Sequence, residues 1–405
     1  MNVLMISPGF PAEMPLFTRG LAAVGARVIG LGDQPDHTLP PVARRAVHFY
    51  ECVPSLWDEE AVVEQVRRLA DRIAIDRVEC LWEPGVVLAA RLREALGLPG
   101  MTVKQVLPFR DKELMKQVLD DAGIRTPRHR RSTSEAECRE AAERIGYPLI
   151  VKPIAGAGSA DTHRVDGPED LERVLPLVRH VRELSVEEFI GGEEFTFDTI
   201  SIEGRVVYEN VSWYRPRPLI ARTIECTSPQ TVCLRDLGVP SIQPGIEMGR
   251  AVVEALGFQS GFTHMEWFLT EDGEAVFGEI AARPPGAKSV DLMNFAGDID
   301  TFTGWAEAVC HHSFSQRIER RFNSAVIFKR ARGQGRITRI EGLERLVGRY
   351  RPHVVCVDLT PVGAPRRNWK QTLLSDGFVF VRHPDLAATM EIADRFGTDL
   401  QIYAE

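Results

Sequence analysis

Lysine is scarce in this chain. Seven of the 49 basic residues are lysine, at positions 104, 112, 116, 152, 288, 329 and 370, and arginine supplies the rest. A lysine in a buried-looking segment therefore marks a place where a compact point charge suits better than a planar guanidinium. The seven cysteines form no C-x-x-C pair, and their number is odd. That excludes a zinc ribbon or a disulfide framework, and they read as reduced, mostly buried thiols. No run of about 18 apolar residues occurs, so no membrane-spanning helix is expected. The first apolar run, Val3 to Ile6, turns at once into Ser7-Pro8-Gly9. It is too short and too little basic for a signal peptide, and a cytoplasmic location is expected. A formal net charge of −8 argues against a nucleic-acid partner. The dinucleotide fingerprint G-x-G-x-x-G, the Walker loop, fixed-period repeats and low-complexity tracts are all absent.

What is present is an ordinary globular composition, 44% hydrophobic and 26% charged over 405 residues, enough for two to four units. Strand and helix patterns alternate over the first hundred residues: Val3–Ser7, Glu13–Val24, Arg27–Leu31, Val47–Val53, Glu59–Ala74, Val78–Trp82 and Val86–Leu96. That alternation predicts a parallel sheet covered on both faces. The breakers between Gly97 and Pro108 mark a boundary. Helices are predicted at Asp111–Ala122, Ser134–Ile145 and Pro168–Val178, with a short strand at Tyr147–Pro153. Strands then dominate: Ser185–Ile190, Glu194–Ile202, Arg205–Trp213, Gly261–Thr270 and Glu274–Ala282. The tail adds strands at Ala325–Arg330, Val354–Leu359, Phe378–Arg382 and Leu400–Tyr403, with a helix at Leu386–Phe396. The expected class is α/β and α+β, divided at 1–105, 106–185, 186–311 and 312–405.

Asp272-Gly273 between two alternating apolar runs is a hairpin signal. With those two residues as the turn, Glu271 opposes Glu274, Phe268 opposes Phe277, and Glu266 opposes Glu279. One face then carries His264, Glu266 and Phe268 against Phe277, Glu279, Ala281 and Arg283. The other carries Thr263, Met265, Trp267 and Leu269 against Val276, Gly278, Ile280 and Ala282, and should pack on the core. Directly opposed carboxylates have Cβ atoms about 4.5–5.5 Å apart and repel. In a partly buried place that repulsion raises one pKa or calls for a cation. Magnesium prefers such oxygens and shares its shell with phosphates. A solvated strand face with Arg283 as ion-pair partner is the plainer reading of this segment alone.

Other segments bear on the choice. Lys152 ends the apolar run Pro148–Pro153 and would reach a cleft as a charge for phosphate, unless it only snorkels to water. Lys112 stands in the first turn of a helix, where the dipole disfavours cations, so an anionic ligand would explain it. Ala155–Ala160 is a small-residue loop able to bring backbone N–H groups to phosphates. Val186–Glu194 reads as a hinge strand and turn, able to meet an adenine edge and a ribose.

In order, Asp111-Lys112, Ala122–Pro127, Pro148–Pro153, the small-residue loop, Val186–Glu194, His264–Phe268 and Glu279–Pro284 resemble the ATP-grasp superfamily of carboxylate–amine and carboxylate–thiol ligases. The resemblance covers residues 105–310 well and the preceding α/β part, the superfamily's pre-ATP-grasp domain, in outline. It implies a two-lobed ATP-grasp fold followed by a C-terminal α+β lobe. It implies that Lys112 and Lys152 contact ATP phosphates under a loop with Gly156, Gly158 and Ser159. Glu187 would meet the adenine amino group beside the backbone of Phe189 and Ile190, and Glu194 would hold the ribose. Glu266 and Glu279 would bind one or two magnesium ions, manganese being an alternative, and Arg283 would sit by the acyl phosphate. Ala281 departs from the family's Glu-x-Asn and leaves one metal oxygen unsupplied.

The chemistry implied is attack of a carboxylate on the γ-phosphate, then displacement of phosphate by an amine. Lys152 and Arg283 would stabilise the charge, with His264 orienting substrate, acting as a base or serving only structure. Partners would be small-molecule carboxylates and amines, with a homodimer left open. Ser212–Pro218 and Lys288 are substrate candidates. Another ATP-grasp chemistry (a kinase, or a carboxylase subunit, which lacking a Met-Lys-Met biotinyl site would need a partner) and a catalytically lapsed regulator are the alternatives.

Overall fold

The computed structural model of the chain describes residues 1–155, 161–372 and 374–405. The predicted phosphate loop, with Gly156, Gly158 and Ser159, lies outside the described residues except for Ala155. Strands β1 (Asn2–Ile6), β2 (Arg27–Gly32), β3 (Val47–Cys52) and β4 (Arg77–Glu79) come first. They pair parallel in the order β3-β2-β1-β4, as the alternation predicts. Val3 to Ile6 are wholly buried, because helices cover both faces of the sheet. One of them, Met14–Ala23, also seals this sheet to the rest of the chain. Phe17 on it sets its ring 4.9 Å from Phe302, 5.3 Å from Trp305 and 6.1 Å from Phe262.

A small antiparallel sheet follows, ordered β5-β8-β6-β7, from β5 (His129–Ser132), β6 (Leu149–Pro153), β7 (His163–Val165) and β8 (Leu184–Glu188). Helices Glu135–Ile145 and Pro168–Val174 pack one face through Cys138, Ala142, Leu149, Val151, Leu171 and Val186. Helix Lys112–Asp121 lies on the other face. Asp111 caps it, its carboxylate accepting from the N–H groups of Glu113 and Leu114, one of the commonest ways to satisfy a helix start.

The remaining strands are β9 (Glu193–Ile202), β10 (Arg205–Arg215), β11 (Gln230–Cys233), β12 (Gly261–Leu269), β13 (Ala275–Ala281), β14 (Asn323–Phe328), β15 (Arg332–Gly333), β16 (Ile337–Glu341), β17 (Val354–Leu359), β18 (Gly377–His383) and β19 (Gln401–Ala404). Eight of them form one antiparallel sheet, β13-β12-β9-β10-β11-β14-β18-β17. The tail strands β14, β18 and β17 thus continue the sheet that carries the hairpin. Short β11 was not predicted from sequence, nor were the helices Gln243–Ala255, Ser289–Gly297 and Thr301–His311 that cover the sheet's two faces.

The hairpin corrects one prediction. Its turn has three residues, Glu271-Asp272-Gly273, with Gly273 left-handed at φ +85° and Thr270 N–H donating to Glu274 O at 3.0 Å. Phe268 therefore faces Val276, and Phe277 faces Trp267 in the core, not the polar face. A bulge at Gly278 then takes up the extra residue and restores Glu266 opposite Glu279. The Asp-Gly signal fits both turn lengths, so the carboxylate pair was predicted from a register that holds only beyond the bulge. A Cβ at Gly278 would lie 2.7 Å from Glu266 O. Gly278→Ala is expected to lower Tm and to weaken nucleotide binding together, by forcing the two carboxylates out of register; a binding titration and a melt check both.

Lys329, leaving β14 on the face toward helix Leu386–Asp399, is buried and donates to Ser228 Oγ, Phe396 O and Gly397 O at 2.7–3.1 Å. Burial, with help from Arg332, pushes its amine down to about 7 from 10.5. The unfolded chain then holds more protons than the folded one across that window, so this group makes stability rise as pH rises from 7 to 10.5. Lys329→Met should flatten that rise, measured as urea midpoints against pH.

Candidate active site

A cleft opens between the small sheet and the β13-β12-β9 edge of the large one. Its walls include Lys112, Lys152, Glu187, Phe189, Ile190, Glu194, Arg217, Glu266, Phe268 and Glu279. Every described nucleotide and metal candidate from the sequence faces this one space. Arg283 and His264 stand at its inner end.

Glu266 and Glu279 are direct partners across β12 and β13. Lys112 Nζ lies 3.3 Å from Glu279 Oε2. Burial opposes the charge on Glu279, but Lys112 and Lys152 outweigh it and hold its carboxyl at about 2. Glu266 Oε1 accepts from Tyr214 Oη at 3.2 Å and lies 3.5 Å from His264 Nε2. His264 Nδ1 meets the fully buried Asp198 at 2.6 Å. Burial opposes the imidazolium, yet Asp198 and Glu266 raise it to about 9. His264 is thus a charged, carboxylate-held ring beside the first glutamate, on the same face as predicted.

Glu187 lines the cleft from a nearly buried position. Its carboxylate joins Lys152 Nζ at 2.8 Å and the fully buried Lys116 Nζ at 2.6 Å, and also accepts from Ser185 Oγ. Burial works against its charge, but the two lysines hold it far below the usual carboxylate range. Lys116 was not singled out from sequence. Its signal was its place one helical turn after Lys112 in a chain poor in lysine, which puts both on one helix face.

At the outer end, Arg217 Nε pairs with Glu194 Oε2 at 3.1 Å and its NH1 donates to Ile190 O at 2.8 Å. Its guanidinium also packs over Phe268 and Phe189. Burial and the neighbouring Glu266 push Glu194 up to about 8 in spite of Arg217. Arg215 instead turns outward to Asp394 and Gln230, so the two arginines of the expected substrate loop part company. Only Arg217 reaches the cleft.

Arg283 Nε donates to Glu83 Oε2 at 2.7 Å, and Arg110 NH1 pairs with the other oxygen of Glu83. Lys288 N–H donates to Glu13. Both acids belong to the N-terminal unit, which therefore helps build the inner end. Glu83 was not foreseen. The readable signal was Trp82-Glu83-Pro84-Gly85, a loop just past the carboxyl end of parallel β4, where open α/β sheets place ligand contacts.

The pair Glu266 and Glu279 fits a hard cation in donor type and charge. Ala281 faces His264, and among the described residues no group of three or more acid, imidazole or thiol side chains converges on one point. A cation held there would have these two carboxylates as its ligands among the described residues.

An ATP-grasp N-terminal domain matches residues 22–100 and an ATP-grasp domain matches residues 117–290. The chain belongs to the ATP-grasp superfamily. An alanine–anticapsin ligase of Bacillus subtilis is 30% identical over 251 residues, 56% of this chain and 52% of that protein. The chain spans about half the length of the curated ligases it matches first. The crystal structure of an L-amino acid ligase from Bacillus licheniformis superposes with a TM-score of 0.81 at 23% identity, over 100% of this chain and 98% of that one. An N5-carboxyaminoimidazole synthetase from Staphylococcus aureus, complexed with ADP, has a TM-score of 0.71 at 17% identity, covering 96% and 95%. Among the described residues of this ATP-grasp protein, no helix is long and apolar enough to cross a membrane.

Breaking the Glu187 pairings should be costly. Glu187→Gln leaves Lys116 and Lys152 buried beside a neutral amide, and loss of one member of a buried ion pair costs about 3–5 kcal/mol. A fall of that size in unfolding free energy, with nucleotide binding weakened as Lys152 loses its anchor, is the expected result in urea melts and ADP titrations.

Proposed function

We propose that the chain is an ATP-dependent carboxylate–amine ligase, joining amino-acid or small carboxylate substrates to an amine through an acyl phosphate. The observation that carries this reading is the opposed pair Glu266–Glu279, with Lys112, Lys152 and Arg283 around it in one cleft. The names of the similar ligases support the substrate class.

In this reading adenine lies against Phe189 and Ile190, with the ribose at Glu194. Glu187 acts mainly by holding Lys152, and the adenine amino group is left to hinge backbone. Lys112 and Lys152 neutralise phosphate oxygens. Magnesium, when bound at Glu266 and Glu279, supplies charge neutralisation and orientation of the phosphate chain. Transfer of the γ-phosphoryl group asks little covalent work of the protein. Arg283, held by Glu83, faces the charge that builds on the equatorial oxygens and on the acyl carboxylate. An incoming ammonium must lose a proton before it attacks. With its ring already charged, His264 is better placed to hold a carboxylate or phosphate oxygen than to take that proton. The nucleotide-binding regulator is favoured by Ala281 alone.

A screen of phosphate release from ATP across amino-acid pairs tests the reading. The expected result is release that needs both partners and a product mass equal to their sum less one water. ADP binding without turnover on any pair would sink it. Glu279→Gln should cut turnover about 100-fold or more, since one charge-stabilising contact to a transition state is worth that much.

A further inference from the structure

The two faces of the small sheet are filled differently. Its apolar residues, Leu149, Val151 and Val186, pack with the helices Glu135–Ile145 and Pro168–Val174. Side chains alternate along a strand. His129 on β5, Ser185 and Glu187 on β8 and Lys152 on β6 therefore share the opposite face, under helix Lys112–Asp121. Glu113, Lys116 and Asp120 stand three and four residues apart on that helix, so they lie along one side of it and contact the same layer. Glu113 is 2% exposed, and Lys116 and Ser185 are wholly buried. An apolar layer of the same volume would often stabilise a fold as well or better, so packing alone does not account for these charges.

The charges form one hydrogen-bonded series. His129 Nδ1 lies 2.8 Å from Glu113 Oε2, and its Nε2 lies 3.1 Å from Oδ2 of the half-exposed Asp120. The other oxygen of Glu113 meets Ser185 Oγ. Ser185 Oγ lies 2.8 Å from Glu187 Oε1. Glu187 in turn holds Lys116 and Lys152, and Lys152 lines the cleft. The number of protons constrains this series. A neutral imidazole has one N–H, yet both ring nitrogens of His129 face carboxylate oxygens. Both contacts are hydrogen bonds only when the ring is an imidazolium. Burial opposes that charge, and so does Lys116, but Glu113 and Asp120 raise His129 above its ordinary 6.5. The nearby guanidinium groups have partners already, Arg131 with Asp111 and Glu183 and Arg128 with Glu188. Glu187 is the cross-strand neighbour of His129. Ser185 carries one hydroxyl proton and cannot donate to Glu113 and Glu187 at once. With His129 charged, Glu113 has a cation of its own and Glu187 keeps both lysines. With His129 neutral, Glu113 competes for Lys116, its neighbour on the helix face.

We infer that His129 and Glu113 are positioning residues for Lys152: the imidazolium neutralises Glu113, leaves Lys116 to Glu187, and so fixes the ammonium that meets nucleotide phosphate. This rests on the nucleotide reading of the cleft, not on the identity of the carboxylate or the amine. Its signature is phosphate binding that weakens as His129 loses its proton, a dependence that a merely structural histidine would not give.

ADP with magnesium is titrated calorimetrically into the full chain from about pH 5.5 to about pH 9, a range that brackets histidine titration. The proteins compared are the wild type, His129→Gln and Asp120→Asn. The nucleotide and the other groups of the cleft titrate in all three, so the ratio of dissociation constants isolates His129. For His129→Gln over wild type that ratio should be about 10 at the acid end, about 1.4 kcal/mol of binding, and should fall toward unity as the wild-type ring loses its proton. Asp120 is half exposed, so Asp120→Asn should fold even if His129→Gln does not. It removes one of the two carboxylates that hold the imidazolium, and should move the weakening of ADP binding to lower pH. A His129→Gln ratio that is the same at every pH, or an Asp120→Asn profile that superposes on the wild type, overturns the positioning role and leaves the nucleotide site standing. No ADP binding by the wild type at any pH would refute the nucleotide reading and the positioning role with it.

Discussion

Two carboxylates placed side by side across a pair of strands cannot both stay charged in a partly buried cleft without nearby cations. Most of the cleft follows from that constraint. Lys112 and Lys152 keep Glu279 ionised, Lys152 is itself held by Glu187, and Glu187 is held in turn by the buried Lys116. The chain of alternating charge begins in the core of the small lobe and ends at the metal pair. In the proposed ligase reading, a cation and a polyphosphate would complete its charge balance.

The same logic joins units that are far apart in the chain. Glu83 comes from the N-terminal parallel sheet, Arg110 from the connector and Arg283 from just beyond β13, and the three meet in one ion-paired group. The aromatic cluster around Phe17 glues the N-terminal sheet to the large lobe, so these charges can stay in register.

Much of this was legible in the residues. The strand–helix alternation of the first hundred positions predicted the parallel sheet, and the order of Lys112, Lys152, Glu187, Glu194, Glu266 and Glu279 pointed to one nucleotide cleft. The Asp-Gly signal located the hairpin but not its turn length. Two local features, the third turn residue and the Gly278 bulge, offset each other and left the glutamates opposed. Glu83 and Lys116 stayed hidden because one acts across 200 positions and the other is an unremarkable helix residue until its neighbour in space is known.

Local chemistry in the chain was sufficient for most strands, the family and the choice of phosphate and metal candidates, since these rest on periodicity and on motifs a few residues long. Folding alone decided which charges are neutralised. Arg215 and Arg217 stand two apart, yet one pairs outward with Asp394 and the other enters the cleft. Ion pairing depends on separations of a few ångströms between distant segments, a quantity that no local pattern encodes.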